Sequence, residues 1–216
     1  MKIEQFGKIT LIHGDCMEYL RQCKDKQFQI AVCDPPYSKA SGNVERTGGT
    51  WASKYGKNIK TWDIAPTDEY FRELSRVADN QIIWGGNYFR LPPTRCFLIW
   101  RKLSISESFS MAMCEYAWTS FDGNAKWFES SPQGTKNDPR FHPTQKPVAL
   151  YAWIYNTYCK EGDTIIDTHL GSGSSAIAAL ALGHEFVGIE IDEMYYEKAK
   201  ERLLKRMAQK SLFEDI

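Results

Sequence analysis

Short apolar runs alternate along this chain with segments whose apolar positions recur at helical spacing, and turn residues separate the two. Strands are predicted at 8–13 (Lys-Ile-Thr-Leu-Ile-His), 28–33 (Phe-Gln-Ile-Ala-Val-Cys), 81–84, 96–100, 114–121, 163–167 and 186–191. A short helix is predicted after Gly14-Asp15, through Met17, Leu20 and Cys23. Longer ones follow from about 68 to 78 behind Thr67 as a cap, and over about 147–159 with Pro147 in the first turn. The last two span 174–182, stopped by Gly183, and about 193–209. This alternation is the pattern of an α/β sheet with helices on both faces. Residues 38–62 are rich in Ser, Gly, Asn and Lys with no sustained period, and 122–141 are polar and irregular. Both read as loops, and the first has a length that marks functional or disordered segments.

Composition narrows this picture only a little. A chain of 216 residues, 43% hydrophobic and 25% charged, fits one soluble domain spanning 1–216. Lys+Arg and Asp+Glu are equal at 27 each, so no overall basic charge announces a nucleic-acid partner. The charge is uneven, however: Lys39, Arg46, Lys54, Lys57 and Lys60 stand against Glu45 alone, and Arg90, Arg95, Arg101 and Lys102 follow. Such a surface suits phosphate contacts, or is simply a solvated face. The six cysteines make no Cys-x-x-Cys pair and no zinc-like cluster, which predicts reduced thiols and no metal. No apolar leader is present at the N-terminus, and no run reaches the ~18 residues of a membrane span. A soluble, cytoplasmic protein without a membrane partner is predicted.

Three segments carry chemistry. The strand 28–33 ends abruptly at Asp34-Pro35-Pro36-Tyr37, where two prolines stop sheet pairing. A carboxylate, backbone carbonyls and an aromatic ring are thereby held at a strand's carboxyl end, where open α/β sheets bind ligands. That set suits a planar molecule bearing an amino group, such as a nucleobase. Next, Asp167 leads into a turn containing Gly171 and Gly173, then a helix of small residues. Its glycines let backbone approach a ligand, and Glu190 at the end of the next strand can accept from both hydroxyls of a ribose. The third segment, His142-Pro143-Thr144-Gln145-Lys146-Pro147, is stiff and enters a helix. Its Thr144 hydroxyl, its Lys146 ammonium and the helix N-terminus could converge on a carboxylate, or the segment is a plain proline-rich connection.

Taken in this order, the three segments resemble the DNA amino-methyltransferases of the β-arranged group, which modify adenine N6 or cytosine N4. Gly14-Asp15, Ile83 to Asn87 and Ala117 to Phe121 also fit the weaker motifs of that family. The resemblance implies a permuted S-adenosylmethionine-dependent methyltransferase fold: a seven-stranded, mostly parallel sheet with one antiparallel strand and helices on both faces. It implies S-adenosyl-L-methionine as cofactor, with Asp167, His169, Gly171, Ser172 and Gly173 along its methionine and ribose side. Glu190 would hold the ribose hydroxyls and Asp15 with Cys16 the adenine edge. Thr144 and Lys146, with His142 beside them, would take the carboxylate end, and Asp34 borders the same cofactor. Asp34, Pro35, Pro36 and Tyr37 would form the catalytic motif, with Tyr37 stacked on a base flipped from double-stranded DNA.

Two departures qualify the resemblance. Thr168 and His169 stand where the family usually has proline and an aromatic residue, which puts cofactor affinity and pH sensitivity in question. The chain also has room for target recognition only in 38–62 and about 122–141. A short or relaxed target, or recognition shared with a second subunit in a homodimer, follows. Aspartate as the first motif residue leans toward adenine; N4-cytosine methylation and a cofactor-binding regulator without catalysis are the competing readings.

Overall fold

A computed structural model describes residues 1–37, 64–108, 112–132, 139–142 and 144–214. The predicted loop 38–62, with its five basic residues and Trp51, lies outside the described residues, as do 133–138 of the second loop. In chain order the elements are β1 (Lys2–Phe6), β2 (Ile9–His13), α1 (Cys16–Leu20), β3 (Phe28–Cys33), α2 (Asp68–Val77) and β4 (Ala78–Trp84). A 3-10 turn at Gly86–Tyr88 precedes β5 (Phe97–Lys102), β6 (Cys114–Thr119) and β7 (Lys126–Ser130). The chain then forms α3 (Val148–Tyr158), β8 (Thr164–Asp167), α4 (Ser174–Leu182), β9 (Glu185–Glu190) and α5 (Glu193–Glu214).

These strands form one nine-stranded sheet in the order β1-β2-β9-β8-β3-β4-β6-β5-β7. The five strands from β2 to β4 run parallel, β6 pairs antiparallel with both neighbours, and β1 pairs antiparallel with β2. The expectation of an α/β, mostly parallel sheet holds, but the count is nine and not seven. Both extra strands are edges. The Lys-Ile-Glu-Gln-Phe of β1 and the Lys-Trp-Phe-Glu-Ser of β7 have mostly exposed or half-buried side chains, so neither gives the continuous apolar run of a central strand. β7 also overturns the reading of 122–141 as wholly irregular, because it pairs in parallel with β5 from Leu98↔Lys126 to Lys102↔Ser130.

Alternation along the central strands sends side chains into two cores. Ile30 and Val32 of β3 join Leu11, Ile82, Trp84, Leu98 and Trp100 beneath α3, α4 and α5. Ala31 and Cys33 join Ile12, Ile83, Ile166 and Ile189 on the opposite face, with Leu20 of α1 and Leu74 of α2. From β3 the chain passes through α2 to β4 on one side, while β8 passes through α4 to β9 on the other. The carboxyl ends of β3 and β8 therefore flank the crevice where the winding reverses, the usual ligand position in such sheets.

The turn after β4 is built without side chains for a steric reason. Gly85 has φ +67°, and a Cβ there would fall 2.5 Å from a ring carbon of Tyr37. One on Gly86 would fall 2.4 Å from the Trp118 Cβ and 3.0 Å from its backbone nitrogen. Because the obstacle at Gly86 includes backbone, Gly86→Ala should destabilise the protein by about 1–3 kcal/mol through overpacking. Urea unfolding measures this, and an unchanged midpoint would mean the turn is looser than the structure shows.

Candidate functional site

At the end of β3 the chain leaves the sheet through Asp34, Pro35, Pro36 and Tyr37, so the tetrapeptide sits at the mouth of the crevice. The Tyr37 ring lies parallel to that of Tyr88, with centroids 4.7 Å apart and planes 13° from parallel. Burial raises the Tyr37 phenol well above its ordinary range, so it stays neutral. Oδ2 of Asp34 accepts a very short hydrogen bond from Nζ of Lys146. Oδ1 is buried and has no partner among the described residues. A carboxylate oxygen in that condition is an unfilled acceptor, and leaving one costs about 1–3 kcal/mol or more.

Lys146 does not stand alone with Asp34. Its ammonium also lies 3.1 Å from Oε2 of Glu115, whose Oε1 is 2.6 Å from Nζ of Lys102. The four groups come from the end of β3, the segment entering α3, β6 and β5, and their formal charges cancel. Lys146 and Lys102 also lie over the rings of Trp84 and Trp100, each 5.2 Å from the ring centroid. Burial favours the neutral amine of Lys146, but the Asp34 and Glu115 carboxylates outweigh it and hold the ammonium above its ordinary range. Burial likewise raises Asp34, opposed by Lys146 and reinforced by the like charge of Glu115. For Glu115 burial is overcome by the two lysines, which hold it well below the ordinary carboxylate value.

The other half of the crevice is organised by two buried carboxylates. Oδ2 of Asp167 accepts from the Ser175 hydroxyl at 2.6 Å, and Oδ1 from the His169 backbone N–H at 3.0 Å. Glu190 accepts from the backbone N–H of Gly171 at 2.7 Å and of Asp192 at 2.9 Å. Burial pushes both acids up to about 7. Gly171 and Gly173 take positive φ, at 52° and 73°. The ring of His142 packs over this turn, since a Cβ on Gly171 would lie 3.5 Å from it. Ser172 is buried with its hydroxyl 3.1 Å from that of Ser174. On the β2 side the Gly14 N–H donates to the Glu190 carbonyl at 3.0 Å, which brings Asp15 and Cys16 beside the Glu190 strand end. Asp15 caps α1 by accepting from Met17 N–H at 2.8 Å, and burial raises the Cys16 thiol to about 12.

The candidate catalytic and cofactor residues singled out from the sequence thus fall at one end of the sheet, but one is directed elsewhere than expected. Lys146 is committed to Asp34 and Glu115, while exposed Thr144 interacts with Nδ1 of His142 at 3.2 Å. Sequence reasoning missed Glu115, Lys102 and Tyr88. A signal for Glu115 was present: it shares the inward face of β6 with Ala117 and Thr119, both fully buried, and an acid on such a face needs a partner. Among the described residues no cluster of acids, histidines and cysteines could hold a metal, and no helix is long and apolar enough to cross a membrane.

Thr168 and His169 are accounted for by packing. The Thr168 hydroxyl lies 2.7 Å from that of Tyr70 and 2.9 Å from Nδ1 of His169. Burial lowers His169 to about 4, so the ring is neutral near pH 7, where Asp167 and Glu190 are the groups of this turn that titrate. A folded-state value below the unfolded one, about 6.5, means the unfolded chain binds the proton first, so this ring weakens the fold as pH falls from about 6.5 toward 4. His169→Phe should remove that contribution. In urea unfolding, the stability at pH 5 relative to that at pH 8 should be about 1–2 kcal/mol higher in the variant than in wild type; an unaltered pH dependence would show that the ring takes up protons freely in the folded protein.

Comparison with known proteins adds a family to this geometry. Residues 24–201 match the N6/N4 DNA methylase family. The type II methyltransferase M2.DpnII of Streptococcus pneumoniae is 24% identical over 252 aligned residues, covering 91% of this chain and 90% of that protein. M2.LlaDCHI of Lactococcus lactis subsp. cremoris, also a type II methyltransferase, is 24% identical over 241, covering 90% and 89%. In fold, the chain is similar to M1.HpyAVI in complex with SAM (TM-score 0.57, 22% identity, 90% of this chain and 100% of that one). It is similar also to the cytosine-N4-specific PvuII DNA methyltransferase (TM-score 0.59, 12% identity, 89% and 85%). The family match takes in the tetrapeptide of Asp34, the segment of Lys146 and the glycine turn together, and the methyltransferases it gathers use S-adenosylmethionine. The chain belongs to the N6/N4 DNA methylase family.

Proposed function

We propose that this protein transfers a methyl group from S-adenosyl-L-methionine to the exocyclic N6 of adenine in double-stranded DNA, with the target base turned out of the helix. The observation that carries this reading is Oδ1 of Asp34, a buried acceptor without a partner beside a flat aromatic surface. A base in a duplex is unreachable, so an acceptor that is buried requires extrusion. The amine then meets Oδ1 of Asp34 and the carbonyl of Pro35, and Tyr37 offers its ring to the base. Accepting the two amine hydrogens draws the nitrogen toward tetrahedral geometry and points its lone pair away from the ring. The gain is orientation and preorganised electrostatics, so Asp34 is not required to act as a strong base.

The chain's own groups fit the cofactor. Glu190 and Asp167 offer acceptors to ribose hydroxyls and an ammonium, and the positive-φ turn at Gly171 and Gly173 exposes backbone. Asp15 and Cys16 border the same end of the sheet. When bound, S-adenosylmethionine supplies an electrophilic methyl group on a sulfonium. Support for adenine over cytosine is the aspartate at position 34, since both bases present an amine that such a site accepts.

Labelled-methyl transfer to unmethylated DNA, followed by nucleoside analysis, tests the reading. Labelled N6-methyladenine is expected; N4-methylcytosine would reassign the base, and cofactor binding without transfer would point to a regulator. Asp34→Ala should abolish transfer and leave cofactor binding largely intact. The pH dependence of cofactor binding has a defined sign. Ionised Glu190 accepts from hydroxyls through both oxygens and more strongly than the neutral acid, and its value is raised to about 7 in the free protein. Affinity should therefore rise between pH 6 and pH 8, as calorimetry would show, and a flat profile would remove Glu190 from the contact.

A further inference from the structure

Glu115 is the pivot of the four-group chain at the acceptor half of the site. Each of its oxygens is used once, Oε1 by Lys102 at 2.6 Å and Oε2 by Lys146 at 3.1 Å. Both lysines are nearly sealed from water, at 7% and 3% exposure. With both oxygens taken, Glu115 is not placed to hold base or cofactor itself. Burial of ion pairs is also a poor way to stabilise a fold, because apolar residues of similar volume do as well or better. What apolar residues could not do is fix an ammonium at one oxygen of a buried catalytic carboxylate. Lys146 reaches Oδ2 of Asp34 on a flexible four-carbon stem, and the carboxylate presents a second, equivalent oxygen that such a stem leaves open to it. A second anchor removes that freedom.

We propose that Glu115, braced by Lys102, is a positioning residue for methyl transfer: it pins the Lys146 ammonium on Oδ2 of Asp34 and so reserves Oδ1 for the amine of the target base. This rests on the reading of Asp34 as the amine acceptor, and it is indifferent to which base carries the amine. The assignment also changes the place of Lys146, which serves the acceptor carboxylate from the segment that sequence reasoning gave to the cofactor.

The test is the single-turnover rate of methyl transfer from preformed ternary complexes, measured from pH 5 to pH 9 in wild type, Glu115→Gln, Glu115→Asp and Lys102→Met. Besides Lys146, Glu115 and Lys102, the ionisable groups that interact with Asp34 among the described residues include Tyr37, Tyr151 of α3 and Asp167 of β8. Burial keeps the two tyrosines neutral, and Asp167 is common to every variant, so differences between profiles report the chain. Glu115→Gln should lower the plateau rate about 10- to 100-fold, the scale of a small misplacement of reacting groups, with cofactor and DNA affinities unchanged. Its acid limb should move to lower pH, because a like charge facing Asp34 is gone; Lys102→Met should move that limb to higher pH, because an opposite charge is gone. Glu115→Asp, which keeps the charge but shortens the reach, should fall between wild type and Glu115→Gln in plateau rate.

A Glu115→Gln plateau and acid limb equal to those of wild type would overturn the proposal. So would a rate that falls only in step with cofactor affinity and melting temperature, which is the mark of a scaffold residue. Should Glu115→Gln fail to fold, the limb shift of Lys102→Met decides, and no shift counts against it. Wild-type protein that transfers no methyl group to any DNA would instead sink the reading of the site itself, so the two failures are distinguishable.

Discussion

Pairing of Asp34 with Lys146 is the constraint on which the β3–β6 side of the crevice depends. The partners are 112 residues apart, one at the end of the central strand β3 and the other in the segment that enters α3. Neither charge can be left alone where it stands, because an unpaired buried charge costs about 3–5 kcal/mol. The end of β3, the entry to α3 and the β5–β6 ladder must therefore come together as one unit. The apolar cores on either face of β3 place these segments in range, and the ion pairs then fix which atoms meet.

The β8–β9 side is held together differently. There the carboxylates of Asp167 and Glu190 are bound to backbone N–H groups and one hydroxyl, not to basic side chains. These are loop-shaping contacts: Glu190 tethers the glycine turn to the end of β9, and Asp167 tethers the first turn of α4 to the end of β8. Without a neutralising cation both acids are raised to about 7, whereas Glu115, with two lysines, is driven the opposite way. Asp167 and Glu190 on one side and Glu115 on the other thus meet burial by opposite means. One leaves the charge easily neutralised, and the other locks it in.

Much of this was legible in the sequence where function and local structure coincide. Asp34-Pro35-Pro36-Tyr37 announces a strand that must stop and hold an acid and a ring, and Gly171, Gly173 and Glu190 announce a turn with a carboxylate facing it. The central strands were legible because burial on both faces leaves an unbroken apolar run. Edge strands β1 and β7 were not, because one side of each faces water and their composition is that of a loop. The destination of Lys146 could not be read either. Its neighbours in sequence suggested a ligand carboxylate, and only the tertiary fold shows that two protein carboxylates reach it first. Glu115 and Lys102 lie in strands correctly or nearly correctly placed, yet nothing local says that they face each other.

The parallel rings of Tyr37 and Tyr88 carry a consequence for selection among bases. An aromatic pair is worth about 0.5–1.5 kcal/mol beyond its buried area, and a nucleobase on an aromatic ring about 1–3 kcal/mol. A base that takes the place of Tyr88 on Tyr37 gains only the difference between the two stacks. If a base stacks on Tyr37 as proposed, Tyr88 is its competitor for the flat surface, and stacking by itself would reward the incoming base weakly, whichever base it is. On the function proposed above, discrimination is left to the hydrogen-bond acceptors, where a base without an exocyclic amine lacks the pair of amino hydrogens that Oδ1 of Asp34 and the Pro35 carbonyl would accept.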